Sequence, residues 1–418
     1  MKKSFFSFLL CLCLASLSSC IKDFPPKEDA SPPKEDARQK IQAAVDKIRK
    51  NLSDSLGASF PSMSLLIQTP TDKIFVSSRG EGGQVVTEDT YYRYASNTKN
   101  FTATAILNMY EDGWLDYKAK ITDVIPGSKL TYVPASADWD FPNKNEITIR
   151  QLLQHSAGVF DIDNDEVPGY EPLTYTEAIH KSDPTHQFTT GEMVKVLKEK
   201  NLSYNFKPGE KYHYSNTGYS ILAEIIKRVY TQKAGTDKTY ADYMNDYITG
   251  GNTPVPLPRI HFPILATDTS LPYPHPISTI LTTTGPERYD SYNMSAQVGE
   301  GNGYGTMSDL NKYIRTLMKG ENALKPATVS LMQKDVSVGE PRYGLGSGFI
   351  KNLGYGHHGG RLGFLNFMTY DPDYDVSVVV MIPMWDYRKQ SSSFYTYYNS
   401  LGEAAYAARE VLGYPGKP

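Results

Sequence analysis

The sequence predicts an α+β fold: one antiparallel sheet built from both ends of the chain and flanked by helices, with a mainly helical subdomain inserted. Three observations carry this. Short apolar runs at 63–67 and 73–76 read as adjacent strands near the start of the domain. Runs at 344–350, 365–370 and 376–382 read as strands near its end. The stretch between, from about 115 to 300, shows helical spacing broken by long loops. A sheet made from both ends with an insertion leaves a cleft between the two parts, a usual place for a site.

Taken in order, the chain opens with Lys2 and Lys3 and an apolar run from Phe5 to Leu17. That run is too short to span a bilayer and reads as a signal peptide. It ends in Leu17-Ser18-Ser19-Cys20, which resembles a bacterial lipobox. The resemblance implies cleavage before Cys20 and a lipidated thiol, hence a membrane partner reached through the lipid anchor. All three cysteines (Cys11, Cys13, Cys20) lie in this segment, so the mature domain has neither disulfide nor thiol nucleophile. Losing Lys2 and Lys3 takes the net charge from −3 to −5. Mild acidity with no basic cluster gives no sign of nucleic acid.

Residues 20–37 read as a tether, with Pro25-Pro26-Lys27-Glu28-Asp29-Ala30 repeated as Pro32-Pro33-Lys34-Glu35-Asp36-Ala37. Ile41, Val45, Ile48 and Leu52 then recur at helical spacing, predicting a helix over 38–52. A turn at 70–72 joins the first two strands. A helix carrying Ser96 follows, with Phe101, Ala105, Ile106 and Met109 on its apolar side and Gly113 at its end. Thr148 suits the N-cap of a helix over 150–155. A further helix spans 218–229, an irregular loop 250–286, and a closing helix 400–412. The domain reading is a signal peptide at 1–19, a tether at 20–37 and one catalytic domain at 38–412. Its α/β part covers about 38–114 and 301–412, and its helical part about 115–300.

Three motifs carry chemistry. Ser96 and Lys99, three apart on a helix, place a hydroxyl and an amine on one face, which is a compact way to activate a serine. The spacing alone is common, since Ser31 and Lys34 in the tether match it too. Context separates Ser96: it follows two strands and opens an apolar helix, whose N-terminus favours a developing oxyanion. Tyr214-Ser215-Asn216 sits between Pro208-Gly209-Glu210 and a helix, where a phenol and an amide can reach a cleft. Gly356-His357-His358-Gly359-Gly360 precedes a strand, and its glycines let a ligand's backbone come close. Adjacent histidines on a strand face opposite ways and are poor joint ligands for a metal. His155 and His213 read as structural.

Together these residues resemble the serine β-lactamase-like family, the group of class C β-lactamases, D-alanyl-D-alanine carboxypeptidases, D-aminopeptidases and related esterases. The matching stretches are 92–99, 149–158, 207–219 and 356–364, and the resemblance covers about 40–412. It implies a β-lactamase/transpeptidase-like fold and a serine hydrolase that uses no metal or cofactor. Ser96 would form the acyl-enzyme, Lys99 would act as its base, and Tyr214 would shuttle protons. Asn216 would bind Lys99 and the substrate, and the amides of Ser96 and Gly360 would form the oxyanion hole. His357 stands where the class C lysine would be and His358 where its threonine would be, with Gly359 next. This form looks like the D-peptidase branch and weakens the case for an efficient β-lactamase. With no hydroxyl at position 358, Arg361 is the candidate for binding a substrate carboxylate.

The functional reading is therefore a monomeric, lipid-anchored, extracytoplasmic hydrolase of the bacterial cell envelope, acting on small D-amino-acid peptides. An esterase or weak β-lactamase on the same scaffold, or a non-catalytic binding lipoprotein, are the alternatives.

Overall fold

The computed structural model describes residues 34–80, 83–388 and 390–418. The signal peptide, Cys20 and most of the tether lie outside the described residues. Six strands form one antiparallel sheet: β1 (Ser62–Gln68), β2 (Lys73–Arg79), β7 (Gly348–Ile350), β8 (Gly354–Arg361), β9 (Phe364–Asp371) and β10 (Val376–Ile382). Their order is β2-β1-β10-β9-β8-β7, so the two ends of the chain meet at β1 and β10, with Leu66 opposite Val379. The predicted fold class is the one observed.

The sheet is buried on both faces. Every residue of β9 and β10 is buried. Alternation along β10 sends Val376, Val378, Val380 and Ile382 to one core and Val379 and Met381 to the other. The first core is closed by α1 (Lys34–Leu56) and α10 (Gln390–Val411), which pack on each other and on the sheet. The second joins the sheet to the helical part, through α2 (Thr98–Glu111) and α8 (Met307–Met318).

α2 differs from the one-sided amphipathic helix expected. It is buried on nearly all sides from Thr98 to Leu107. Its polar residues are satisfied in place: Asn100 Nδ2 donates to the Gly346 carbonyl (2.9 Å) and Thr102 Oγ1 to that of Gly299 (2.5 Å). The helical part supplies α3 (Ile149–Leu153), α4 (Tyr175–Ser182), α5 (Thr190–Glu199), α6 (Asn216–Ala234) and α7 (Tyr240–Tyr243), and α9 (Pro326–Lys334) follows α8. Thr148 and Gln151 close the capping box at α3, and Ser215 caps α6.

Several boundaries moved; the helices expected at 218–229 and 400–412 span Asn216–Ala234 and Gln390–Val411. α1 already includes Lys34, the first described residue, inside the second tether repeat, and it buries Ala37 and Ile41. The strand expected over 344–350 keeps only its last three residues, since Gly346 turns the chain at φ 71°. Residues 354–361, read as the approach to a strand, are a strand themselves, hidden in the sequence by glycines of low strand propensity. Small sheets complete the fold: β3 (Tyr91–Arg93) pairs β6 (Tyr304–Thr306), and β4 (Thr279–Thr282) lies between β5 (Gly285–Arg288) and β11 (Met384–Asp386). β4 and β5 fall at the end of, and just beyond, the loop expected at 250–286.

Candidate active site

β3 runs into a single 3₁₀ turn at Ala95–Asn97, and α2 follows at once. Ala95 has φ 47°, a left-handed conformation that alanine rarely adopts. The turn is held by a side-chain hydrogen bond from Asn97 to Asn366 on β9, and by Asn366 Nδ2 donating to the Arg93 carbonyl (2.9 Å). Its effect is to lift Ser96 into partial exposure while its neighbours from Tyr92 to Phe101 are buried.

Lys99 lies one turn on, fully buried, with Nζ 3.2 Å from Ser96 Oγ. The same nitrogen contacts Asn216 Oδ1 (2.6 Å), the Glu300 carbonyl (2.8 Å) and Glu300 Oε2 (3.0 Å). An ammonium has three donors, and these three closer acceptors use them all. A neutral amine would satisfy two of them and leave a lone pair for the serine proton. Burial pushes the Lys99 ammonium down, opposed by Glu300, and pushes the Glu300 carboxyl up to about 7, opposed by Lys99. The two groups are therefore coupled, each opposing the shift that burial imposes on the other.

Asn216 is aimed by the loop after α3. Its backbone N–H donates to Asp161 Oδ2 (2.8 Å) and its Nδ2 to Asp163 Oδ2 (3.2 Å), which turns Oδ1 toward Lys99. Burial and the neighbouring Asp163 raise Asp161 to about 7. Asp163 is also desolvated, yet Arg361 holds it below the usual carboxylate range.

Tyr214 sits just before α6, with Lys99 Nζ 4.9 Å from its ring centre. Burial drives its phenol well above 10, and a hydrogen bond with Ser96 draws it back. Against it lies His155, its ring tilted by 31° with centroids 4.1 Å apart, and Tyr219 and Tyr343 lie 5.0 and 5.1 Å from the same imidazole. His155 Nδ1 accepts from the Ser215 amide (3.1 Å) and burial keeps the ring neutral. Its place against the phenol gives the structural role expected of it a location.

β8 forms the opposite wall. A Cβ on Gly359 would lie 2.3 Å from the Tyr94 carbonyl and 2.5 Å from Asn366 Oδ1, so only glycine lets this strand lie against the nucleophile turn. A cavity of about 360 Å³ opens between them, lined by Ser96, Tyr214, Asn216, Glu300, His358, Gly360 and Arg361, among others. A larger depression of about 710 Å³ lies at the far end of α2, and no serine lines it.

The structure thus brings Ser96, Lys99, Tyr214, Asn216, Gly360 and Arg361 to one place. His357 does not line that cavity. Alternation along β8 turns it inward, where Nδ1 donates to the His358 carbonyl (2.6 Å) and Nε2 accepts from Tyr343 (3.0 Å). Burial, reinforced by Lys99, holds His357 neutral, down to about 3. His358 takes the wall position. Arg361 lines the cavity, and its guanidinium is paired with Asp163. Glu300, Asp161 and Asp163 were missed by sequence reasoning. The signals available were an acid between two glycines at 299–301 and an acidic pair just past the 149–158 stretch.

A partly exposed serine at a helix start, a buried lysine one turn on, and a phenol beside both form an arrangement able to activate a serine hydroxyl. The chain belongs to the Beta-lactamase family, whose sequence profile matches residues 38–383. Protein flp of Staphylococcus aureus (strain MW2) is 30% identical over 195 residues, covering 45% of this chain and 32% of its own length. The chain therefore spans about a third of that relative. A D-stereospecific amidohydrolase from Streptomyces sp. has a similar structure, with a TM-score of 0.65 at 21% identity over 87% of this chain and 97% of that one. D-amino acid amidase from Ochrobactrum anthropi SV3 gives a TM-score of 0.68 at 18% identity, over 90% and 99%. At these identities the structural likeness speaks for the fold.

Proposed function

We propose that this protein is a lipid-anchored, extracytoplasmic hydrolase that forms an acyl-enzyme on Ser96 with amide substrates built on D-amino acids. The observation that carries the chemistry is the 3.2 Å separation of Ser96 Oγ from the sequestered Lys99 Nζ at the mouth of a cavity. In this reading Lys99, as the amine, takes the Ser96 proton while Oγ bonds to the substrate carbonyl carbon. The amides of Ser96 and Gly360 receive the oxyanion. Tyr214 relays that proton from Lys99 to the departing amine as the C–N bond breaks; a water, giving its proton back through the same groups to Ser96 Oγ, then releases the acid. Asn216 holds Lys99 through Oδ1 and keeps one Nδ2 hydrogen for the substrate.

The D-amino-acid preference is supported by the two structural neighbours, which are by name a D-stereospecific amidohydrolase and a D-amino acid amidase. The anchor rests on Leu17-Ser18-Ser19-Cys20. Labelling with a fluorophosphonate or fluorescent penicillin, beside turnover of D-alanyl amides, tests the reading. Ser96→Ala should abolish both. Labelling or turnover that survives the substitution would refute it. Incorporation of labelled fatty acid that disappears in Cys20→Ala tests the anchor separately.

A further inference from the structure

Arg361 immediately follows the oxyanion glycine and is already occupied. Its Nη1 lies 2.6 Å from Asp163 Oδ2 and its Nη2 3.2 Å from Oδ1, with side-chain exposures of 14% and 3%. The aspartate is fixed from other directions too: by the Thr176 hydroxyl on α4, by Gln297 Nε2 (3.2 Å) and by Asn216 Nδ2 (3.2 Å). Among the described residues Arg361 Nε has no hydrogen-bond partner, and it is buried. The second cation of the site, Lys99, is fully buried against Glu300. His358 is kept neutral by burial and by the charges around it. Each cation at this cavity therefore already has a carboxylate against it, Glu300 beside Lys99 and Asp163 beside Arg361.

We propose that this site selects against a carboxylate next to the scissile bond, and that the Asp163–Arg361 pair is the element that imposes the choice. The inference rests on the serine-hydrolase reading above and narrows its substrates to neutral amides and esters. A carboxylate entering the cavity would shed water and meet no unengaged cation. The missing charge-assisted hydrogen bond corresponds to roughly 10- to 100-fold in kcat/KM.

The test compares two substrates that share one scissile bond, D-alanyl-D-alanine and D-alanyl-D-alaninamide. The wild-type chain should cleave the amide about 10-fold or more faster in kcat/KM. Asp163→Asn, which releases the guanidinium, should narrow or invert that ratio. Arg361→Met leaves Asp163 bare and should widen it, so the lock stays testable where Asp163→Asn does not fold. Equal or faster cleavage of the free acid by the wild type would overturn the inference while leaving the Ser96 chemistry standing. So would a ratio unmoved in the variants. Failure to cleave either substrate, with Ser96 unlabelled by a fluorophosphonate, would remove the hydrolase reading and this inference with it.

Discussion

At the scale of single residues, the decisive relation is between Lys99 and Glu300. A buried lysine beside a serine is a base only when it gives up its proton, and the carboxylate 3.0 Å away opposes that. Glu300 raises the Lys99 pKa, so Glu300→Gln lets the amine appear at lower pH. The acidic limb of the kcat/KM profile should therefore shift to lower pH in the variant, while the amide of glutamine keeps the shape of the contact. A pH–rate series on wild type and variant measures this, and an unmoved limb would show that Glu300 does not govern the base. Ser96 and Lys99 were legible in the sequence because three residues along a helix is a local distance. Glu300 was not, because it reaches Lys99 across 201 residues of chain.

At the scale of elements, the site is a strand laid against a strained turn. β8 could be misread because four of its eight residues are glycines, yet those at 356 and 359 are what close contact requires. Gly359→Ala would press a methyl group onto the Tyr94 carbonyl, force β8 away from Ala95 and widen the gap between Gly360 and Ser96. We expect a loss of about 1–3 kcal/mol in stability, seen by urea denaturation, and a fall in kcat/KM. Gly402→Ala in α10 is the control. Nothing lies within 4 Å of its added methyl group, so it should leave turnover alone and stabilise by up to about 1 kcal/mol. Strand alternation also decided between the histidines. The sequence shows that His357 and His358 face opposite ways, but which one meets Ser96 depends on how β8 pairs with β9, where His358 stands opposite Phe367.

At the scale of the whole molecule, the sheet separates two cores, and Ser96, Lys99 and Tyr214 lie on the side of the one that α2 joins to the helical part. α1 and α10 cover the other face, with Ile41 and Val45 of α1 fully buried. Ile41→Ala should cost about 2–5 kcal/mol of stability, while the folded fraction keeps its KM and kcat. Denaturation curves and steady-state kinetics on the same preparation check both halves. A change in KM would show that the far face is coupled to the cavity. The fold class was legible because β1 and β2 on one side and β9 and β10 on the other announce themselves by composition, and helical spacing fills the interval. The burial of α2 on nearly every side was not, because its threonines and asparagine look exposed until their partners at Gly299, Gly346 and Tyr313 are in place.

By itself, the amino-acid sequence determined the α+β layout, the serine and its lysine, and the tyrosine–asparagine motif at the head of a helix. Each of these is written in short-range spacing or in the period of apolar residues, which backbone geometry turns directly into structure. Tertiary packing alone decided which carboxylates stand beside the two cations, which histidine faces the cavity, and that Arg361 is engaged. The two cation–carboxylate pairings join residues about two hundred positions apart. No local propensity encodes such a meeting; it follows from how the sheet and the helical insertion close on one another.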